Sequence, residues 1–377
     1  MVWAIMALDN VLAHRTLFQE SGKIAVELPL GDELGALHPG GGFPLLADPR
    51  ANERACILGM FVLRPAVQAW TAPVLEDGRP RSMFEAERWC FNVKGIDGGW
   101  LIAGGNALDA YRLALQYGVA DAVIVGSNTV AKEGVDHGST RGYLWQPYGP
   151  TAWPRLVEAD PHLLGKIERL RVLWQALGCL SDRRYPAQVV VSQSGEHREG
   201  TPDIFDARIF SDRHPDGSAI EVIVLSSEAG AERLRSRAVA RGMGARIDGM
   251  LLGVSPVGHP EVLDIERVPE LLRRTRDIRI ADHDGGATVL SKFVEAGAVT
   301  QLNFTLMRDR SVVDVLSTSE RLTDPERVAF VSNFDERAQS FFSGDGRIPT
   351  WLNPVSIIGD DRDAVVVTFA PERAAAW

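Results

Sequence analysis

The sequence predicts an α/β protein built on a mostly parallel sheet with helices on both faces, plus antiparallel additions at an edge. Three observations carry this. Short apolar runs bounded by polar residues or glycine recur through the middle of the chain, and helical periodicities separate them. Of the 377 residues, 45% are hydrophobic and 24% charged, which supplies a sizeable core and excludes a disordered or collagen-like chain.

Taken in order, residues 1–85 are the least regular and read as an N-terminal extension, packed on the core or at an oligomer contact. Within it, Gly35 to Phe43 reads as a loop and Ala55 to Val67 as one or two strands. Trp89 to Val93 is a strand ending at the turn Ile96 to Gly99. Asn106 caps a helix whose apolar face is Ala110, Leu113, Ala114 and Tyr117, with Gly118 placed to end it. Asp121 to Gly126 is a buried strand. An aromatic and proline-rich stretch follows, and then a helix marked by Leu163, Ile167, Leu170, Trp174 and Leu177, stopped at Gly178.

Strand signals return at Gln188–Val191, Ile220–Leu225, Met250–Val254 and Ile278–Ala281, alternating with helices at about 228–241 and over Val268–Arg276. Asp282 to Gly286 reads as a loop. Val289, Leu290, Phe293 and Val294 mark the next helix, closed by Gly297, and Thr300–Met307 and Ala364–Thr368 are later strands.

Charge and special residues narrow the chemistry. Fifty acidic against 40 basic side chains give −10, a balance that argues against nucleic acid, since phosphate binding leaves a basic footprint. Cys56, Cys90 and Cys179 lie far apart, which excludes a zinc site made mainly of thiolates, and the histidines show no paired ligand spacing, so no metal is expected. No apolar run approaches 18 residues, so no membrane span is expected and the cytoplasm is the default.

In parallel sheets, ligands sit beyond the C-terminal ends of the strands. Two glycine-bearing segments fall there: Gly126 to Thr129, and Asp284 to Thr288. Glycine admits close backbone approach, and a helix start offers free N–H groups to a phosphate. Ser127, Thr129 and Thr288 add hydroxyls. Turn and capping chemistry explains either segment taken singly. Neither is G-x-G-x-x-G, so a standard Rossmann dehydrogenase is a poor match.

Three blocks together resemble the reductase domain of the bifunctional riboflavin-biosynthesis deaminase/reductase. Ile96-Asp97-Gly98 is similar to that family's early aspartate–glycine turn. Residues 120–130, reading ADAVIVGSNTV, resemble its A-D-A-I-L-V-G-x-x-T-V block, and Asp284-Gly285-Gly286 with the helix reaching Gly297 resembles its E-G-G block. The likeness implies a dihydrofolate reductase-like fold over 86–377, a small-molecule substrate, NADPH as cofactor and a homodimer. It places Gly126, Ser127, Thr129 and Val130 along the cofactor's phosphates and ribose. Gly285, Gly286, Ala287 and Thr288 form the second nucleotide loop. Asp97, Glu133 and Asp284 become the acids near the reacting groups.

The departures from that pattern cluster on the substrate side. Gly95 replaces a serine, Glu133-Gly134-Val135 keeps one acid of an acid-acid-proline, Asp284 replaces a glutamate, and Tyr117 stands where a basic residue is common. The H-x-E and P-C-x-x-C arrangement of the zinc deaminase is missing from residues 1–85. The insertion at about 136–184, with Tyr143, Trp145, Tyr148 and Trp153, reads either as a lid over a flat substrate or as an oligomer contact or surface insertion. The expectation is an NADPH-dependent reductase of a heterocyclic or ring-bearing imine or carbonyl, on a different substrate from the riboflavin-pathway enzyme. Two alternatives stay open: a non-catalytic binding or regulatory protein that keeps the fold, and a flavin- or deazaflavin-dependent oxidoreductase. Lys94 and His283, both beside the glycine turns, are further candidates for polar contact or proton donation.

Overall fold

Apolar runs that are buried at every position belong to strands covered on both faces, and such strands pair in parallel. Three runs of this kind organise the fold. The computed structural model describes residues 25–29, 42–63, 114–133, 161–197, 203–284, 286–307, 352–361 and 364–371. The chain divides into two units. One comprises Met1–Ala47, Met60–Arg112 and Thr300–Trp377, and the other Asp48–Gly59 and Leu113–Val299.

In the first unit, β1 (Val26–Pro29) pairs antiparallel with β2 (Gly42–Leu45), Val26 opposite Leu45. Gly42 and Phe43 therefore stand in a strand rather than in the expected loop. Phe43 and Leu45 are buried, which is the apolar reward for that pairing. Of β3 (Cys56–Leu63), residues Cys56–Gly59 belong to the second unit and the rest to the first.

The second unit is a parallel sheet. Its further strands are β4 (Ala122–Gly126), β5 (Ala187–Val191), β6 (Val222–Ser226), β7 (Leu251–Gly253) and β8 (Ile280–His283), in the order β3-β8-β4-β5-β6-β7. Strands β4, β5 and β6 are buried throughout. The helices between them are α1 (114–119), α2 (Ser127–Glu133), α3 (Leu163–Ala176), α4 (Glu228–Ala240), α5 (Gly244–Asp248), α6 (Val268–Arg276) and α7 (Gly286–Glu295). The predicted parallel α/β sheet is thus what the residues build. Helix α3 buries Leu163, Ile167, Leu170 and Trp174 of the face its spacing marked; Leu177 stands just past its end and is exposed, and Gly178 follows at φ +74. Helix α1 differs from expectation: it continues through Gly118 to residue 119.

The N-terminal end of the sheet is held by one carboxylate. Asp121, fully buried, accepts from Ser181 N at 2.9 Å, Ser181 Oγ at 2.7 Å, Arg279 N at 2.8 Å and Ile280 N at 3.3 Å. Arg171 of α3, also buried, lies 3.8 Å from it and donates to the carbonyls of Ala120, Gly118 and Arg183. The start of β4, the start of β8 and the segment after α3 are tied together through these groups. A buried charge is tolerated when it is paired and hydrogen-bonded in this way.

The first unit closes with β9 (Gln301–Met307), β10 (Leu352–Asp361) and β11 (Ala364–Pro371). Strand β11 pairs antiparallel with both others, Val367 facing Phe304 on one side and Ile357 on the other. Gln301 Oε1 accepts from Leu46 N at 3.1 Å, which ties β9 to the residue after β2.

Candidate functional site

Strands β4 to β7 step outward in chain order, and β8 then returns to the other side of β4. The order of the sheet reverses between β4 and β8, and a crevice at the carboxyl ends of the strands opens at such a reversal. Both segments singled out from the sequence leave the sheet there. Val123 pairs with Asp282 and Ile124 with His283, and Asp284 N donates to Ile124 O at 3.0 Å. Two turns 158 residues apart in sequence, from Gly126 to Asp284, thus begin side by side on adjacent parallel strands.

The first segment holds no loop at all. Strand β4 ends at Gly126 and α2 begins at Ser127, so Ser127 and Thr129, both half-buried, lie in the first turn of a helix, and Val130 packs inward. In the second segment, Gly286, Ala287 and Thr288 form the first turn of α7. Glu133 is the last residue of α2. Asp97, Lys94 and Gly285 lie outside the described residues, as does most of the insertion at 136–184.

The helix starts in this sheet are not equivalent. The start of α4, after β6, is closed by protein groups. Ser227 Oγ accepts from Gly230 N at 3.0 Å, Ser255 Oγ accepts from Glu228 N at 2.9 Å, and Pro260 O accepts from Ala229 N at 2.9 Å. Glu228 adds a negative charge in its first turn. Neither α2 nor α7 has an acid in its first turn. Gly126, the residue before α2, has no side chain with which to cap it. An acid in the first turn, as in α4, disfavours an anion at a helix start, and the first turns of α2 and α7 carry no such charge.

The acids around β8 are arranged differently from the sequence expectation. Strand β8 runs two residues further than predicted, so Asp282 and His283 are strand residues, both fully buried. His283 meets the ring of Phe293 edge-on at 4.7 Å, and burial lowers its pKa to about 4. It is therefore neutral near pH 7 and is not the titrating loop histidine the sequence offered.

Asp282 lies two residues before Asp284 on the same side of the strand. Burial, reinforced by the Asp284 carboxylate, raises the pKa of Asp282 well above the usual carboxylate range. Gln116 Nε2 donates to Asp282 Oδ1 and approaches Leu58 O at 3.4 Å. The adjacent residue of α1, Tyr117, is also buried and donates its hydroxyl to Asp284 Oδ2. Asp284 itself is half-buried at the strand exit. Tyr117 stands among the departures that the sequence placed on the substrate side, whereas Gln116 and Asp282 were missed as site neighbours. The only signal in the sequence was the pair of polar or amphipathic residues, 116 and 117, at consecutive positions of an otherwise apolar helix.

A groove of about 520 Å³ lies one strand further along, lined by Gly195, His197, Glu232, Arg233, Ser236 and Arg237. Its arginines are already committed. Arg233 pairs with Glu261 at 2.5 Å and donates to Ser194 O at 2.7 Å, and Arg237 pairs with Asp203 at 2.6 Å. It has less to offer an anion than the β4/β8 exit.

No family model matches this chain, and no curated protein matches it. The solved structures it is similar to include reductases of riboflavin biosynthesis and a pyrimidine reductase-like protein. The pyrimidine reductase-like protein, from Corynebacterium diphtheriae, is 16% identical with a TM-score of 0.42, over 84% of this chain and 91% of that one. RibD of Acinetobacter baumannii is 11% identical with a TM-score of 0.39, over 85% of this chain and 59% of that one. The riboflavin biosynthesis reductase Rib7 of Saccharomyces cerevisiae is 11% identical with a TM-score of 0.37, over 85% of this chain and 90% of that one.

Proposed function

We propose that this chain is an NADPH-dependent reductase that transfers hydride to a heterocyclic or ring-bearing imine or carbonyl, related to the riboflavin-pathway reductases but acting on a different substrate. The observation that carries this reading is the pairing of β4 with β8, which brings two acid-free, glycine-preceded helix starts to one strand-order reversal. The cofactor fits this exit and not the closed start of α4. Gly126, Ser127, Thr129 and Val130 on one side, and Gly285, Gly286, Ala287 and Thr288 on the other, would hold its phosphates and ribose through backbone N–H groups and hydroxyls. NADPH, when bound, supplies the hydride.

The chain's own residues then align the acceptor and exclude water. Asp284 is the acid at the strand exit, assigned here to hydrogen-bond the acceptor ring. Glu133 and Asp97 are the further acids assigned to the substrate side. Burial raises the pKa of Asp282 and shuts it away from solvent, so Asp284, half-buried at the strand exit, is the member of the pair assigned to substrate. The departures at Tyr117, Asp284 and Glu133–Val135 support a substrate other than the riboflavin-pathway pyrimidine. In this reading the protein is cytoplasmic and homodimeric. Among the described residues no helix is long and apolar enough to cross a membrane.

Titration of the purified chain with NADPH, followed by nicotinamide fluorescence, tests the reading. Saturable binding is expected, followed by NADPH oxidation with one class in a panel of pyrimidines, pterins and cyclic imines. No saturable change, with or without the panel, rejects it. Binding without oxidation across the panel favours a non-catalytic role, and a coloured protein on flavin reconstitution favours the flavin alternative.

A further inference from the structure

Helix α7 carries a lysine whose partner is not an acid. Lys292 Nζ donates to Gln193 Oε1 at 3.1 Å, and both side chains are exposed. Among the described residues no carboxylate pairs with this ammonium. The arginines of the neighbouring groove differ, since Arg233 is paired with Glu261 and Arg237 with Asp203. An ammonium held by a neutral amide keeps its charge uncompensated, and a phosphate oxygen compensates it.

The bond also joins two sides of the crevice. Lys292 belongs to the helix that follows β8, Gln193 follows β5, and β4 lies between those strands. Helix α7 packs against β4. Side chains of a helix lean toward its N-terminus, so Lys292 reaches back to the carboxyl edge of the sheet. Gln193 is fixed at that edge by its backbone: its carbonyl accepts from Ser227 N at 3.1 Å and from Ser226 Oγ at 3.2 Å. The ammonium is thereby brought across the end of β4 to the β5 side of the exit.

The nucleotide-binding reading given above, on which this inference rests, assigns Asp284 and the acceptor ring to the β8 side. It assigns the phosphates that NADPH and NADH share to the two helix starts. The adenosine half of the cofactor then extends toward β5, where Lys292 stands. We propose that Lys292 binds the 2′-phosphate on that half and makes the site select NADPH over NADH.

The test is the affinity of the full chain for each dinucleotide, read by nicotinamide fluorescence, with folding checked by circular dichroism. Lys292→Met keeps the length and helix propensity of the side chain and removes its charge, whereas Lys292→Arg keeps the charge. The unmodified chain is expected to bind NADPH at least about tenfold tighter than NADH. Lys292→Met should weaken NADPH by about tenfold and NADH by less than about twofold, and Lys292→Arg should keep NADPH within about threefold.

Equal affinity of the unmodified chain for the two dinucleotides overturns the proposal. So does a Lys292→Met variant in which NADPH is unchanged, or in which both dinucleotides weaken alike, as they do when the ammonium serves a shared phosphate or only the packing of α7. Lys292→Gln, measured alongside, keeps the comparison decisive if the methionine variant does not fold. Binding of neither dinucleotide to the unmodified chain rejects the nucleotide reading itself. Binding of both, untouched by either variant, rejects Lys292 alone and leaves that reading standing.

Discussion

The two ends of the parallel sheet use aspartates in opposite ways. At the N-terminal end, Asp121 accepts three hydrogen bonds from backbone amides and one from a hydroxyl, with a buried arginine beside it. At the C-terminal end of β8, Asp282 is a fully buried carboxyl, its pKa raised by burial, that accepts from one glutamine, and Asp284 emerges half-exposed with a tyrosine hydroxyl donating to it. One end spends its carboxylate on holding strands in place. The other keeps a carboxylate at the strand exit, bound by a side chain that can be altered without unpairing the sheet. Burial plus saturation with donors marks a structural acid, whereas partial burial at a strand-order reversal marks a candidate for chemistry.

The largest expected effect breaks the first end. Asp121→Ala strands Arg171 without its counter-charge and removes the acceptor for four donors. A loss of about 4 kcal/mol in urea unfolding is expected, larger than for any substitution at the β4/β8 exit. A loss below about 1 kcal/mol would show that the carboxylate is not what holds β4 to β8.

The pH dependence of stability sharpens the second end. His283 has its pKa lowered to about 4 by burial, against 6.5 when exposed in the unfolded chain. Below pH 6.5 the unfolded state therefore takes up a proton that the folded state refuses. Stability is complete above 6.5 and falls as pH drops toward 4, by about 3 kcal/mol. His283→Leu should flatten that slope in unfolding curves recorded between pH 7 and pH 4. Asp282 works in the reverse direction. Its raised folded pKa gives a contribution present in acid and lost as pH rises above the ordinary carboxylate range, and Asp282→Asn should remove that loss.

A third comparison uses the neighbouring strand ends. Gly195 has φ +64, and a Cβ placed on it would stand 2.1 Å from Gly230 O. Gly195→Ala should cost about 2–3 kcal/mol in the same unfolding assay, through backbone strain and overlap. The smallest effect is expected where the function is proposed. Ser127→Ala with Thr129→Ala should leave the unfolding midpoint nearly unchanged and weaken NADPH by about threefold to tenfold. A variant pair that lowered stability and left NADPH binding alone would reverse the assignment of these hydroxyls.

Much of this was legible in the sequence. Strands β4, β5 and β6 were readable because each is an apolar run with polar or glycine ends, and α3 because its buried positions repeat at helical spacing. Gly178 and Gly297 marked helix ends through the left-handed backbone they adopt. The adjacency of the Gly126 and Asp284 turns was an inference from fold class, and the sheet order bears it out. The misreadings share one physical cause. Asp282 and His283 were assigned to a loop because polar residues interrupt the apolar signal of a strand; partners distant in sequence, Gln116 and Phe293 among them, make them tolerable inside. Asp121 looked like the polar boundary of a strand for the same reason, with its donors 60 and 158 residues away. Helix α1 ran through Gly118 because packing at 114–119, buried at every position, outweighs the preference of one glycine.

The Asp121 clasp also bears on how such a protein can change over time. Because the spacing of β4 and β8 is fixed at the far end, replacements at Tyr117, Ser127, Thr129 or Asp284 need not be compensated by refitting the scaffold. Side chains at that exit can change one at a time while the foundation of the sheet stays untouched.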